Sequence, residues 1–109
     1  MIDWERIRDL RSEIGDGDFA EVAALFLEEA DEAVARLSPA ASAEAMEADL
    51  HFLKGAALNL GFVALSGLCQ DGERRAAAGD ASVDLEAVRK SYFGSKQAFQ
   101  AGLDQASAA

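Results

Sequence analysis

The sequence predicts an all-α fold: an antiparallel up-down four-helix bundle with a short additional N-terminal helix. Two observations carry this. Apolar residues recur at spacings of 3–4 along nearly the whole chain, the period of an amphipathic helix. No stretch alternates β-branched and polar residues, and no Asn-Gly or Asp-Gly joins two strand-like runs. Composition agrees. Half of the 109 residues are hydrophobic, and alanine and leucine, which lose little on entering a helix, dominate.

The first helix is predicted from about Asp3 to Ile14, where Ile7, Leu10 and Ile14 form a stripe that Trp4 extends. Gly15-Asp16-Gly17 ends it, and Asp18 can cap the next helix. The second runs from Phe19 to Leu37. Val22, Phe26, Ala33 and Leu37 share a face that Ala23, Leu27, Ala30 and Val34 widen, while Glu28, Glu29, Asp31, Glu32 and Arg36 lie outside it. Ser38-Pro39 stops it, because the residue before proline disfavours the α region.

The third helix starts at Ser42 or Ala43 and reaches Asn59, burying Met46, Leu50, Leu53, Ala57 and Leu60. Gly61 is a natural left-handed terminus. The fourth spans about Phe62 to Ala78, with Leu65, Leu68, Cys69, Gly72 and Ala76 inward and Gly79-Asp80 at its end. Gly67 and Gly72 inside it each cost up to ~1 kcal/mol relative to alanine, and a close helix approach would explain them. Ser82 can cap a fifth helix from Val83 to about Gln105, with Leu85, Val88, Tyr92, Phe99 and Leu103 on its apolar face and Ala106 to Ala109 frayed. Short connections between four long helices favour the bundle, with the first helix across one end. Residues 1–109 read as a single domain without repeat or linker.

Charge narrows the function. Twenty acidic against ten basic residues give a formal charge of −10, which disfavours nucleic acid and repels an anionic membrane surface. A protein partner is expected. No run approaches ~18 apolar residues, and the start lacks a signal-peptide core, so a cytoplasmic location is expected. Cys69 is the only cysteine, which excludes an internal disulfide and a cysteine-rich zinc site and leaves it as a small buried hydrophobe. One histidine and no Glu-x-x-His pair argue against a metalloenzyme bundle.

That histidine is His51. On a helical wheel it falls roughly 140° from the apolar centre near Met46 and Ala57, and so faces solvent. Alone it would be an ordinary surface residue. Lys54 and Gly55, three and four residues on, share its wall. A helix-interior glycine there leaves room beside the imidazole, and the lysine can offer charge to an anion. The third and fourth helices turn near Gly61, ten residues after His51, so residues near 70 to 73 lie level with it. Glu73 can then accept Nδ1–H of His51 and leave Nε2 free to attack. Geometry alone leaves Glu73 open between that role and a surface carboxylate.

The string His51-Phe52-Leu53-Lys54-Gly55-Ala56-Ala57-Leu58-Asn59-Leu60-Gly61 closely resembles the signature of histidine-containing phosphotransfer (HPt) domains, and Leu65, Leu68, Cys69 and Glu73 look like that family's following helix. The specific part covers about a quarter of the chain. The resemblance implies a phosphorelay intermediate with His51 as phospho-acceptor at Nε2, Lys54 favouring the phosphorylated state and Gly55 leaving space. Relatives often carry Gln or Glu at the place of Glu73. Ala56 and Ala57 replace serines seen in many relatives, which removes any hydroxyl contact there. Glu73 as an acid, rather than glutamine, is expected to make the phosphohistidine more labile.

The chain offers no P-loop and no obvious magnesium site. No cofactor of its own is therefore expected, and Mg²⁺ is expected on the partner. The resemblance names the partners: a response-regulator receiver domain, whose aspartate exchanges the phosphoryl group, and a hybrid sensor kinase. A monomer is the family's default. Leu58, about 20° round the wheel from His51, and Leu25, off the main stripe of the second helix, are candidate docking residues. Phe52 is expected to pack against a neighbouring helix. Two other readings remain: a bundle that binds a partner without phosphotransfer, and the phospho-acceptor region of a sensor kinase.

Overall fold

The computed structural model describes residues 2–38, 40–80 and 82–108, with side chains in the last helix described through 102. The helices are α1 (Trp4–Ile14), α2 (Asp16–Arg36), α3 (Ala43–Leu60), α4 (Val63–Ala77) and α5 (Leu85–Ala108). Among the described residues there is no strand, only an isolated antiparallel bridge between Ile2 and Phe62. The molecule measures 47 × 21 × 20 Å, the proportions of an up-down bundle with α1 laid against one end.

Local chemistry sets most boundaries. Asp3 accepts from the Arg6 N–H at 3.1 Å and Ser42 Oγ from the Ala45 N–H at 3.1 Å, so each caps its helix. Gly61 ends α3 at φ 71°, in the left-handed region. A Cβ there would also stand 2.6 Å from the Asp3 carbonyl oxygen, so the tight α3–α4 turn and the docking of α1 both require glycine.

The structure corrects several expectations. The second helix begins at Asp16, with Gly15 as its N-cap at φ 87°, so Asp18 lies inside its first turn rather than capping it. Asp16 and Asp18 then meet the positive end of the helix dipole, which favours the earlier start. Ser82 does not cap the last helix, because its N–H and Oγ both donate to Asp80. Asp84 takes that place, accepting the Ala87 N–H at 3.0 Å, and the helix starts at Leu85 and continues through Ala108. Leu68 is exposed, and Val22 and Phe26 are half-buried, because each lies at the edge of its helix's inward stripe. Pro39, and the side chain of Leu103, lie outside the described residues.

The core is otherwise built from the expected positions. Met46, Leu50, Leu53, Leu60, Leu65, Val88, Tyr92 and Phe99 are fully buried; Phe19 near the start of α2 and Phe62 at the turn, which the spacing does not place in the core, are buried as well. Each such side chain contributes about 1.5–3 kcal/mol relative to exposure. Gly72 permits a close approach, since a Cβ there would meet Val83 at 2.9 Å and Leu50 at 3.0 Å. At Gly67 a Cβ would meet nothing within 4 Å, so packing does not explain that glycine.

Two clasps fasten the outer helices. Trp4 of α1 stacks on Phe99 of α5 at 6.4 Å and 12°, and its ring fills the space where a Cβ at Gly102 would come within 2.0 Å. Between α2 and α5, the buried Tyr92 donates to the Leu27 carbonyl and to Asp31, which also binds Lys96 Nζ at 2.9 Å. Burial pushes the Asp31 carboxyl up, but the bonds from Tyr92 and Lys96 and the lysine charge outweigh it and hold it below its ordinary value. Burial first, then the Asp31 contact, pushes the Tyr92 phenol up, so it remains a donor.

Candidate functional site

The α3–α4 hairpin brings His51, Lys54 and Glu73 together. His51 Nδ1 lies 2.9 Å from Glu73 Oε1 and 3.1 Å from Oε2. Lys54 Nζ donates to the same oxygens at 3.0 and 3.1 Å. One carboxylate thus faces both nitrogens. The His51 side chain is 71 % exposed, while Glu73 is only 16 % exposed. The imidazole stands in solvent on a carboxylate rooted in the bundle.

This arrangement fixes chemistry at both ends of the ring. An ionised carboxylate only accepts, so Nδ1 must carry the proton of a neutral imidazole, and the lone pair then lies on Nε2. Among the described residues Nε2 has no hydrogen-bond partner. The His51 bond chiefly, against the opposing effect of burial and with help from Lys54, holds the Glu73 carboxyl below its ordinary value. Glu73 is therefore charged at neutral pH.

Gly55 lies on the same wall. A Cβ at this position would meet nothing within 4 Å, so the space beside the imidazole is open. Phe26, His51, Phe52, Gly55, Ala56 and Asn59 line a shallow depression there. Phe52 is 39 % exposed, which corrects the expectation that it packs away against a neighbouring helix: it sits too far round α3 from the buried stripe. Ala56 and Ala57 are buried and offer no hydroxyl to the site.

Leu58 is 58 % exposed and borders a second depression with Arg6, Gly61, Val63 and Ser66. Leu25 is 55 % exposed and precedes Phe26 of the first depression. Sequence reasoning missed Val63, exposed just after the turn, and the pairing of Arg6 with Asn59. Arg6 Nη2 donates to Asn59 Oδ1 at 3.3 Å, and Asn59 Nδ2 donates to the Gly55 carbonyl at 3.1 Å. Nothing in the sequence of α1 signals that Arg6 reaches this wall.

Cys69 is fully buried, four residues before Glu73. Burial, reinforced by the Glu73 charge, pushes its thiol up to about 12, so it is no nucleophile. Among the described residues no group of three or more His, Cys, Asp or Glu can hold a metal ion. Among the described residues no helix is long and apolar enough to cross a membrane.

The helical bundle presents one exposed histidine bonded to a carboxylate that a lysine also binds. The family model described as Hpt domain matches residues 21–109. The chain belongs to the Hpt domain family. Its members are histidine phosphotransfer modules of phosphorelays, without kinase activity of their own. Among curated proteins and among solved structures, nothing matches the chain.

Proposed function

We propose that His51 is the phospho-acceptor of this domain and that it carries a phosphoryl group to or from the aspartate of a response-regulator receiver domain. The observation that carries the reading is the bond between His51 Nδ1 and Glu73, which leaves Nε2 as the exposed nucleophile. The Nε2 lone pair attacks phosphorus of the receiver's aspartyl phosphate in line. The N–P bond forms as the P–O bond breaks, and the aspartate leaves as a carboxylate. The product imidazolium keeps its Nδ1 proton on Glu73, which stabilises the new positive charge.

In the reverse direction the aspartate attacks, the N–P bond breaks and His51 leaves as a neutral imidazole. Glu73 favours this step as well, because a ring kept protonated at Nδ1 is the better leaving group. Lys54 balances the carboxylate and adds positive charge beside the phosphoryl oxygens, and Gly55 leaves them space. The receiver supplies Mg²⁺ and the remaining charges; this chain contributes no cofactor. Leu58, Leu25 and Phe52 form the apolar part of the docking face. A hybrid sensor kinase feeds the relay, and the domain works as a cytoplasmic monomer.

The test is transfer of labelled phosphate from a phosphorylated receiver domain. Wild type should take the label and His51→Gln should not. Equal labelling of the two proteins would refute the assignment, and binding of the receiver without labelling of either would favour a docking module.

A further inference from the structure

Gly55 makes α3 softest one turn from the reacting imidazole. Glycine has the widest backbone freedom of any residue and costs up to ~1 kcal/mol in a helix interior. A Cβ at this position would meet nothing within 4 Å, so no neighbouring side chain packs on that face of the turn. At this point the fold adds a brace. In an α-helix the carbonyl of residue 55 already pairs with the N–H four residues on. Asn59 Nδ2 gives it a second bond at 3.1 Å.

The Asn59 amide is itself held. Its Oδ1 accepts from Arg6 Nη2 at 3.3 Å. Turned round, the amide would set oxygen against the carbonyl oxygen and its NH₂ against the guanidinium, so both partners enforce one orientation. Arg6 comes from α1, which lies outside the matched residues 21–109. α1 is firmly seated: the Asp3 N–H donates to the Gly61 carbonyl at 2.7 Å, and Trp4 fills the hollow at Gly102. A fixed helix thus reaches the soft turn through one amide.

Resting on the phospho-acceptor reading of His51, we infer that Arg6 and Asn59 are positioning residues for phosphotransfer, bracing the Gly55 turn so that the imidazole stays aligned with the incoming phosphorus. Neither touches the reacting atoms. A misplacement near 1 Å can cost up to ~10²-fold in rate, so the brace acts on the rate of transfer rather than on affinity.

The test uses the full chain, a phosphorylated receiver domain and, separately, the small donor phosphoramidate. Asn59→Ala and Arg6→Ala should each lower the single-turnover rate constant ~3–10-fold, with KM for the receiver near wild type. Both should lower the hydrogen-exchange protection factor of the backbone N–H at position 59, which sits on the Gly55 carbonyl. The double variant should fall no further than Asn59→Ala, because Arg6 acts through Asn59. Arg6→Lys still donates to Oδ1 and should recover the rate. Asn59→Asp keeps a partner for Arg6 but cannot donate to the carbonyl, and should stay slow.

A raised KM at unchanged rate, additive losses, or wild-type protection of the position 59 N–H in Asn59→Ala would each overturn the brace. Absence of label on wild-type His51 from both donors would instead sink the phospho-acceptor reading. The two failures are separable, since one shows in the wild type and the other only in variants of a wild type that transfers.

Discussion

His51 and Glu73, 22 residues apart in sequence, meet at 2.9 Å across the α3–α4 hairpin. The carboxylate is the less exposed partner, and Lys54 Nζ donates to the same two oxygens.

Glu73→Ala should release the imidazole to its mixed tautomers. In ¹⁵N spectra of the neutral ring, the Nδ1–H form should dominate in wild type and lose that dominance in the variant. Phosphotransfer should slow by roughly tenfold, equivalent to about 1.4 kcal/mol. The phosphohistidine, once formed, should last longer, because its leaving group is no longer kept protonated. Glu73→Gln, which can still accept Nδ1–H but carries no charge, should fall between. An unchanged tautomer ratio in Glu73→Ala would remove the orienting role.

Acid should loosen the same contact. The folded-state pKa of Glu73 is lowered, so its stabilising contribution is complete above the ordinary glutamate range and is lost as pH falls through the depressed value. Urea unfolding of wild type and Glu73→Gln should therefore differ at neutral pH and converge in acid. Asp31, also lowered, should behave likewise against Asp31→Asn.

Lys54→Ala leaves the Glu73 carboxylate with His51 as its remaining side-chain hydrogen-bond partner. Stability should drop by about 1 kcal/mol, the upper end for a pair partly open to solvent. Transfer should slow, and Lys54→Arg should recover part of both losses. Denaturant midpoints and single-turnover rates check this.

Gly55→Ala should split stability from activity. The added Cβ meets nothing, so the helix should gain about 0.5–1 kcal/mol. The same methyl intrudes on the open wall beside Nε2, so transfer should fall. A higher Tm together with a lower rate is the expected signature.

Tyr92→Phe probes the far side of the bundle. It removes the bonds to Leu27 and Asp31 and should cost about 1–2 kcal/mol in urea unfolding while leaving the transfer rate at wild-type level.

Much of this arrangement was legible in the chain itself. The count across Gly61 placed Glu73 level with His51 because both helices rise equally from one tight turn, and the periodicity of α3 put the histidine on its outer wall. The extended start of α2 was not legible, since an Asp-Gly-Asp run serves equally as a turn or as an acid-rich first helical turn. Phe52 and Leu68 sit at stripe edges, where a wheel cannot decide burial without the neighbouring helix. Arg6 was hidden for a deeper reason: its partner lies 53 residues away, and only the seating of α1 beneath Gly61 brings them within reach.

The seat of Trp4 against Gly102 has a mechanical consequence. It joins α1 to α5 and so closes a loop that contains the other three helices. Ile2 and Asp3, which precede Trp4, are tied to Phe62 and Gly61, so a pull on the N-terminal segment reaches the α3–α4 turn before it reaches the aromatic contact. The mechanical route into the bundle thus runs through the same turn that sets His51 against Glu73.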